Sequence, residues 1–260
     1  MARRTIAGSR GIVTGASSGI GRAIALELAK NGARVFAVAR RADRLNDLCQ
    51  ECRPQPGEIA CFPADVCDPL MREKIVTQAK ESLGGIDFLV NAAGISSVAR
   101  FVESTPERLR QILEVNFFAP TELMRVALPE LIRGTNPIVV NIGSILGHRA
   151  IPWHGDYCAS KFALRGLSES IRPELAKQGV DLLVVSPGTT KTELYATDPA
   201  RQALPWRQPR GVSAEYVARK TVQAMSRGKR EIIPNLQGRL LVWLSRYFPG
   251  ILDHAMNKYG

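Results

Sequence analysis

The chain has 260 residues, of which 45% are hydrophobic, and it carries a formal net charge of +11. This length and composition suit a globular protein with one large core, and they exclude a low-complexity chain. No apolar run precedes the first predicted strand, so we expect neither a signal peptide nor an N-terminal anchor, and we expect a cytoplasmic protein.

The positive charge is concentrated towards the C-terminus, where residues 201–260 contain eleven Lys/Arg and three Asp/Glu. A basic surface attracts nucleic acid, anionic lipid or an acidic carrier, and charge alone does not choose among them. The five cysteines indicate reduced thiols rather than a disulfide framework. A zinc site at Cys49-x-x-Cys52 with Cys61 and Cys67 has poor spacing, so we expect no metal.

Short apolar runs alternate with segments of helical periodicity. Strands are predicted at 11–14, 34–39, 59–62, 86–91, 138–142 and 181–186, and helices near 20–31, 41–52, 69–84, 106–133, 156–178 and 213–227. This alternation predicts an α/β fold, a single Rossmann-type doubly wound parallel sheet with helices on both faces. We expect one domain over 1–260, with a substrate lid at about 189–212 and a basic, apolar tail at 234–260.

A glycine-rich turn joins the first predicted strand to the first helix, with the sequence Thr14-Gly15-Ala16-Ser17-Ser18-Gly19-Ile20-Gly21. Glycines let the backbone approach a pyrophosphate, and the positive end of the following helix attracts its charge. The alternative is a plain tight turn, but the flanking strand and amphipathic helix favour dinucleotide binding. The predicted contacts are Gly15, Ser17, Ser18, Gly19, Ile20 and Gly21. The turn resembles the TGxxxGIG signature of the short-chain dehydrogenase/reductase family.

The second predicted strand ends in Arg40-Arg41, where an NAD-selective protein would offer an acid to the ribose 2′-hydroxyl. A guanidinium instead pairs with a 2′-phosphate through charge-assisted hydrogen bonds. Arg40, supported by Arg41 or Ser17, therefore predicts NADP(H) in preference to NAD(H). The alternative for Arg40 is a solvated side chain at the start of a helix.

Three further segments resemble cofactor contacts of the same family. Asp65-Val66 resembles its adenine contact, although a cap or turn is the alternative role for Asp65. Asn91-Ala92-Ala93-Gly94 matches its NAAG motif, and the segment 187–192 resembles the one that contacts nicotinamide. The resemblance thus implies cofactor contacts from Asp65, Val66, Asn91, Ala92, Gly94, Pro187, Gly188, Thr189, Thr190 and Thr192.

Tyr157 and Lys161 stand at i and i+4 at the start of a long predicted helix. On one helix face, the ammonium can stabilise a phenolate and lower the pKa of the tyrosine. Such a tyrosine can protonate a carbonyl oxygen as general acid, and its phenolate serves as base in the reverse reaction.

An isolated Tyr-x-x-x-Lys is common on helix surfaces. Here Asn116, Ser144, Tyr157 and Lys161 follow the order and intervals of the family's catalytic residues, and the resemblance covers about 8–233. It implies that Ser144 hydrogen-bonds the substrate oxygen and that Asn116 holds a water that connects the lysine to solvent. It also implies that Tyr157 and Lys161 contact the cofactor. His148 and His154 could suggest a Ser-His hydrolase, but no G-x-S-x-G occurs.

The residues expected around the substrate are mostly apolar or aromatic: Ile145, Leu146, Trp153, Leu194, Tyr195 and Trp206. They favour a hydrophobic ketone, aldehyde or alcohol over a sugar. The alternative is that some of them only pack a flexible lid.

The tail segment 238–250 mixes apolar and aromatic residues with arginines and is too short and too charged to span a bilayer. It could lie in the membrane interface through 238–252, or be buried against its own domain or a neighbouring subunit. Burial is favoured, because a cluster of Trp, Tyr and Phe is usually core. The tail also resembles that of membrane-associated reductases in the family.

The favoured interpretation is an NADP(H)-dependent reductase of a hydrophobic carbonyl compound. One alternative is a 3-oxoacyl-thioester reductase whose basic residues dock an acidic acyl carrier protein. An alternative of another class is a non-catalytic NADP(H)-sensing or nucleic-acid-binding regulator, but the complete catalytic set speaks against it, and we expect no nucleic acid. The resemblance implies a homodimer or homotetramer built through the helices at 106–133 and 156–178.

Overall fold

The apolar runs of the sequence form a parallel sheet in the computed structural model, which describes residues 3–195, 204 and 211–259. The strands are β1 (Arg10–Thr14), β2 (Arg34–Ala39), β3 (Glu58–Pro63), β4 (Phe88–Asn91), β5 (Ile138–Ile142), β6 (Asp181–Val185), β7 (Thr190–Lys191), β8 (Val212–Ser213) and β9 (Glu231–Ile232). Seven of them form one sheet in the order β3-β2-β1-β4-β5-β6-β9, while β7 and β8 form a separate ribbon. The strand order reverses between β1 and β4, where ligands of such sheets bind.

Helices cover both faces of the sheet: α1 (Gly19–Lys30), α2 (Ala42–Cys52), α3 (Pro69–Leu83), α4 (Pro106–Leu113), α5 (Ala119–Ile132), α6 (Gly155–Lys177), α7 (Ala214–Ser226), α8 (Leu236–Tyr247) and α9 (Pro249–Asn257). On one face, Leu28 of α1 and Val217 of α7 belong to a buried apolar cluster with the sheet. On the other face, Ile75 of α3 and Leu123 of α5 do the same. The predicted doubly wound α/β fold is therefore confirmed.

The helix predicted near 106–133 is present, but it is not α-helical throughout. A π-helical turn, Glu114–Phe118, separates α4 from α5. Within this turn the Asn116 side chain is hydrogen-bonded to the backbone of Ile95 on both its oxygen and its nitrogen. These long-range bonds favour a local departure from α-helical geometry, of the kind often found at functional sites.

The expectation that all five cysteines are reduced thiols is also wrong for two of them. Helix α2 packs on β3 and brings Cys49 against Cys61, and the two form a disulfide with a Cα–Cα distance of 6.6 Å. Cys52, Cys67 and Cys158 are free. Within the described ranges, no group of three or more His, Cys, Asp or Glu side chains is placed to hold a metal ion.

The tail aromatics are not buried against the described part of their own domain. Trp243, Tyr247 and Phe248 cluster, with ring centroids 5.5 and 5.7 Å from Trp243, but all three are exposed. The inner face of α8 is packed, since an added Cβ at Gly238 would lie 2.9 Å from Ile145. Among the described helices, none has the length and apolar character needed to cross a membrane.

Candidate active site

The first turns of α6 place Tyr157 and Lys161 together at the carboxyl end of the sheet. Both side chains are buried, and the Lys161 Nζ lies 5.7 Å from the centroid of the Tyr157 ring. The same Nζ donates a hydrogen bond to the carbonyl oxygen of Ile142, at 3.0 Å. The predicted pairing of the two side chains on one helix face is thus present in the structure.

Burial lowers the pKa of Lys161 to about 8. Desolvation disfavours the ammonium, and the group that accepts the hydrogen bond of Lys161 Nζ, the Ile142 carbonyl, is neutral. The amine can therefore gain or lose a proton close to neutral pH. In its charged form it favours the ionised state of a neighbouring phenol.

Asn116 ties the loop after β4 to α6. Its Nδ2 donates to the Ile95 carbonyl at 2.9 Å and to Ser160 Oγ at 3.0 Å, and its Oδ1 accepts from the Ile95 N–H at 2.9 Å. Ser160 in turn donates to the backbone carbonyl of Tyr157 at 2.8 Å. Sequence reasoning missed Ser160, which fixes the start of α6 through these two hydrogen bonds. An added Cβ at Gly94 would lie 3.2 Å from Asn116 Oδ1 and 3.7 Å from Lys161 Nζ.

Ser144 is buried at the second position after β5, and its Oγ accepts a hydrogen bond from the Leu146 N–H at 3.1 Å. The turn after Ser144 packs directly on α6, because an added Cβ at Gly147 would lie 2.7 Å from the Lys161 carbonyl oxygen. Leu146 packs with Tyr157 in a small apolar cluster that Ile145 also contacts.

The other predicted pocket residues have more varied surroundings. Trp153 is half-buried, and its indole N–H donates to the carbonyl of Tyr259 at 3.0 Å. Leu194 is half-buried in the short turn Glu193–Tyr195. The side chain of Tyr195 and the whole of Trp206 lie outside the described part of the chain.

The two histidines make contacts of a structural kind. His148 Nε2 lies 3.0 Å from Ser186 Oγ and 3.1 Å from Glu231 Oε1, and so connects its loop to β9 and to the residue that follows β6. His154 Nδ1 lies 3.1 Å from the Pro152 carbonyl. The His148 ring is thus bound to Ser186 rather than to Ser144.

The glycine turn has the geometry of a cradle for a phosphate group. Gly15 has φ +67°, and an added Cβ would lie 2.7 Å from the Ala93 nitrogen. At Gly19, with φ +55°, an added Cβ would lie 3.1 Å from a Thr192 methyl carbon. Ser18, at the start of α1, makes no side-chain cap, and the first turn holds no acid. The uncapped start of α1 and the absence of an acidic side chain from its first turn fit a pyrophosphate.

The ends of β1 and β4 are joined beside this turn. Thr14 Oγ1 accepts from the N–H groups of Ala92 at 3.1 Å and Ala93 at 3.2 Å. Asn91 Nδ2 donates to Asn141 Oδ1 at 2.9 Å, while the buried Asn91 Oδ1 has no hydrogen-bond partner among the residues that the structure describes. An unpaired buried acceptor at the switch point of the sheet fits a ligand that brings a donor.

Arg41, more than Arg40, lies beside the glycine turn. The Nε and Nη2 of Arg41 donate to Ser17 Oγ at 3.2 and 3.1 Å. Arg40 is 71% exposed in its side chain, and its Nη1 lies 3.9 Å from Asp65 Oδ2. Asp65 Oδ1 accepts a hydrogen bond from the N–H of Cys67 at 2.9 Å, so Asp65 stabilises the turn after β3, as its alternative role required. The structure thus brings Arg41 and Ser17 together.

Glu193 is a second residue that sequence reasoning missed. Its carboxylate lies 3.0 Å from Arg41 Nη1 and 3.8 Å from Arg44 Nη2. This ion pair joins the segment after β7 to the start of α2. The carboxylate thus pairs with the same guanidinium that contacts Ser17.

Asn235 is a third missed residue. Its Oδ1 accepts from the Gly188 N–H at 3.1 Å, and an added Cβ at Gly188 would lie 2.5 Å from Asn235 Nδ2. Asn235 immediately precedes α8, so it fixes the tail to the segment at 187–192. Thr190 Oγ1 donates to the Gly188 carbonyl at 2.9 Å within that segment.

Asn235→Ala should lower the free energy of unfolding by about 1–3 kcal/mol, because it leaves the half-buried N–H of Gly188 without its partner. Denaturant unfolding at neutral pH measures the change. Asn257→Ala, at an exposed position near the end of α9, serves as control, with an expected change within about 0.5 kcal/mol. Equal stability of the two variants would show that Asn235 does not fix the segment.

The sequence and the fold both match proteins that are already known. A family model described as short chain dehydrogenase matches residues 11–203. A short chain dehydrogenase of Pseudocercospora fijiensis is 37% identical over 196 residues, which are 74% of this chain and 63% of that protein, so less than two thirds of its length is spanned. Ketoacyl reductase HetN of Nostoc sp. is 32% identical over 98% of this chain and 91% of its own.

A solved structure is similar in fold and in sequence. A short chain dehydrogenase from Burkholderia cenocepacia, in complex with NADP, superposes with a TM-score of 0.78 at 28% identity, covering 89% of this chain and 98% of that one. The match of the family model spans well over half of the sequence, and the parallel sheet and the Tyr157–Lys161 pair agree with it. The chain belongs to the short-chain dehydrogenase/reductase family of oxidoreductases.

Proposed function

We propose that the chain is an NADP(H)-dependent oxidoreductase that reduces a hydrophobic ketone or aldehyde, or oxidises the corresponding alcohol. The observation that carries the proposal is the buried pair of Tyr157 and Lys161, whose Nζ lies 5.7 Å from the centroid of the tyrosine ring, at the carboxyl edge of the sheet and beside the turn that follows Ser144. When bound, the nicotinamide supplies the hydride that the carbonyl carbon receives, or accepts it from the alcohol.

The side chains of the protein move the proton. In reduction, the Tyr157 hydroxyl donates its proton to the carbonyl oxygen, and in oxidation its phenolate takes the proton back. Lys161 stabilises the phenolate and, with a pKa of about 8, can exchange a proton near neutral pH. Ser144 hydrogen-bonds the reacting oxygen. Asn116 positions α6 through its hydrogen bond to Ser160. In the proposed mechanism it also holds a water that connects Lys161 to solvent.

The cofactor is proposed to lie along the strand ends at the switch point. The turn 15–21 would hold its pyrophosphate, Asp65 and Val66 its adenine, and the segments 91–94 and 187–192 its nicotinamide half. The proposed preference for NADP(H) rests on Arg41, which already contacts Ser17 at 3.1 Å, with Arg40 as a second cation. A 2′-phosphate would replace the Glu193 carboxylate as partner of Arg41.

Arg41→Ala should weaken NADPH binding by about tenfold or more while changing NADH binding by less than about threefold, because hydrogen bonds to charged groups contribute about 1.5–3 kcal/mol. Fluorescence titration of the purified protein with each cofactor measures both effects. Arg40→Ala is the matched control, since that side chain is mostly exposed, and its effect should be smaller.

An equal loss of NADPH and NADH affinity in Arg41→Ala would remove Arg41 from cofactor selection. A larger loss in Arg40→Ala would transfer the role to Arg40. Absence of binding of either cofactor to the wild-type chain would contradict the proposed function itself.

Ketoacyl reductase HetN, at 32% identity, favours one second candidate, a 3-oxoacyl-thioester reductase. Lys229 is an exposed cation that could dock an acidic acyl carrier protein, while Arg207 and Arg210 lie outside the described residues. A carrier-linked thioester that reacts at least about tenfold faster than the same acyl group on pantetheine would favour this candidate. Equal rates with the carrier-linked and the pantetheine-linked thioester, together with faster turnover of free apolar ketones, would favour the reductase of a hydrophobic ketone or aldehyde.

The proposed assembly is a homodimer or homotetramer. Phe118, at the start of α5, and Phe162, on α6, are large apolar side chains exposed on the helices that the resemblance assigns to subunit contacts. Light scattering would give the mass in solution, and a monomer at micromolar concentration would contradict this assembly.

A further inference from the structure

The two C-terminal helices carry an apolar face that nothing in the described part of the chain covers. Leu236, Leu240, Trp243 and Tyr247 recur at i, i+4, i+7 and i+11, so they lie on one side of α8. All four are exposed, with Trp243 at 51%. Phe248 and Ile251 are exposed as well and continue the face onto α9. We refer to these six residues as the tail face.

Two further apolar side chains, outside the tail face, project from the loop that follows β4. Phe101 is 94% exposed and Val102 is 85% exposed, in a short 3-10 turn. Large apolar side chains exposed to this extent are a sign of an interaction surface when they occur in groups. They lie next to Arg100, whose guanidinium carbon is 5.2 Å from the centroid of the Trp153 ring.

Trp153 links this turn to the end of the tail. Its carbonyl accepts from the Ala99 N–H at 2.8 Å, and its indole donates to the Tyr259 carbonyl at 3.0 Å. Trp153 has φ +66°, a conformation that costs energy for a bulky residue and that these two bonds hold in place. The tail and the Phe101–Val102 turn therefore both attach to the loop that leads into Tyr157.

The charge around the tail face is positive. Residues 227–259 contain six Lys/Arg and two Asp/Glu. Both acids are already paired with cations outside that segment: Glu231 lies 3.6 Å from Arg165, and Asp253 lies 2.5 Å from Arg149. No carboxylate of the segment is thus left to oppose its exposed cations, which include Arg239, Arg246 and Lys258.

We propose that the tail face, together with Phe101 and Val102, docks on the surface of an anionic phospholipid bilayer. Helices of 12 and 9 residues are too short to span, but an amphipathic pair with basic flanks can lie in the interface. Trp and Tyr suit that depth, where one end of the ring is apolar and the other is hydrated.

A second copy of the chain is the less suitable occupant. A twofold contact through the tail face would set its basic side chains against the same side chains of the partner, and like charges across an interface are unfavourable. An anionic bilayer instead neutralises them. Docking would also bring the loop that contains Trp153 to the lipid surface.

The experiment is vesicle flotation of the full chain without cofactor or substrate, so its outcome is independent of the proposed reaction. We expect the protein to float with vesicles of phosphatidylcholine and phosphatidylglycerol, far less with phosphatidylcholine alone, and less as salt is raised. Leu240→Gln combined with Trp243→Gln should lower the bound fraction at least about tenfold, because two apolar side chains no longer enter the bilayer.

Leu70→Gln is the matched control, because Leu70 is 67% exposed on α3, outside the tail face, and this variant should float like the wild type. Circular dichroism checks that the double variant is folded. The proposal is overturned if the wild type does not bind anionic vesicles, or if the double variant binds as the wild type does. It is also overturned if the double substitution only converts an oligomer to a monomer without vesicle binding, which would assign the face to a second copy.

Discussion

Tyr157→Phe should lower kcat by roughly a thousandfold, while the Kd for NADPH changes by less than about threefold. In the proposed reaction the hydroxyl is the proton donor to the carbonyl oxygen, and general acid catalysis contributes about 10²–10⁴ in rate. The ring keeps its place, because Tyr157 is buried with Leu146 and Cys158. Initial rates with an apolar ketone and fluorescence titration with NADPH measure the two parameters separately.

Tyr216→Phe is the matched control, since it removes another tyrosine hydroxyl, one that donates to the Pro234 carbonyl at 3.2 Å. That variant should retain wild-type kcat. If Tyr157→Phe kept a tenth or more of the wild-type rate, Tyr157 would not be the proton donor, even if the chain were an oxidoreductase.

Lys161→Met should abolish most turnover and at the same time stabilise the fold at pH 7. Burial lowers the pKa of Lys161 from 10.5 to about 8, so the protonated amine is less stable in the folded chain than in the unfolded chain. This lowering of the pKa corresponds to a cost of about 3 kcal/mol in folding free energy at pH 7. Lys161→Met removes that cost, but it also removes the hydrogen bond to Ile142, and the loss of that bond costs about 1 kcal/mol. We therefore expect Lys161→Met to raise the free energy of unfolding by about 1–3 kcal/mol.

The sign of the pH dependence follows from proton uptake. Between the folded pKa of about 8 and the ordinary value of 10.5, the unfolded chain binds more protons than the folded chain, so wild-type stability rises with pH over this window. The cost is full below about pH 8 and is lost above pH 10.5. The advantage of Lys161→Met should therefore be largest at pH 7 and shrink as the pH approaches 10.

Denaturant unfolding of both proteins at pH 7 and at pH 10 tests this expectation. Lys30→Met, at an exposed position in the last turn of α1, is the control and should show a small difference that does not depend on pH. A destabilised Lys161→Met at pH 7, or an advantage that stays constant with pH, would contradict a cost from desolvation.

Local periodicity was sufficient to predict most of the fold, because strands buried on both faces read as continuous apolar runs. β9 escaped prediction since it is only two residues long and depends on pairing with β6. The π-helical turn at 114–118 has no periodic signature, because it depends on the contacts of Asn116 with Ile95. The Cys49–Cys61 pair likewise depends on how α2 packs on β3.

The pairing of Tyr157 with Lys161 was predictable because the spacing of the two residues on one helix determines their geometry. Ser160, Glu193 and Asn235 were not, since each acts through a partner far away in sequence: 44 residues for Ser160 and Asn116, 47 for Asn235 and Gly188, and 152 for Glu193 and Arg41. The choice between Arg40 and Arg41 needs the direction of each side chain after β2, and neighbours at a strand end point to opposite sides. For Trp243, the helical pattern shows a face but does not reveal whether the fold covers it.

The central claim is that this chain transfers a hydride between nicotinamide and an apolar carbonyl compound. The most direct measurement uses NADPH that carries deuterium at the transferable position of the nicotinamide, a panel of apolar ketones, and mass spectrometry of the alcohols formed. The account predicts one deuterium on the carbinol carbon of the product, and none with Tyr157→Phe beyond a trace. Unlabelled alcohol, or no alcohol from any ketone or thioester despite NADPH binding, would contradict it.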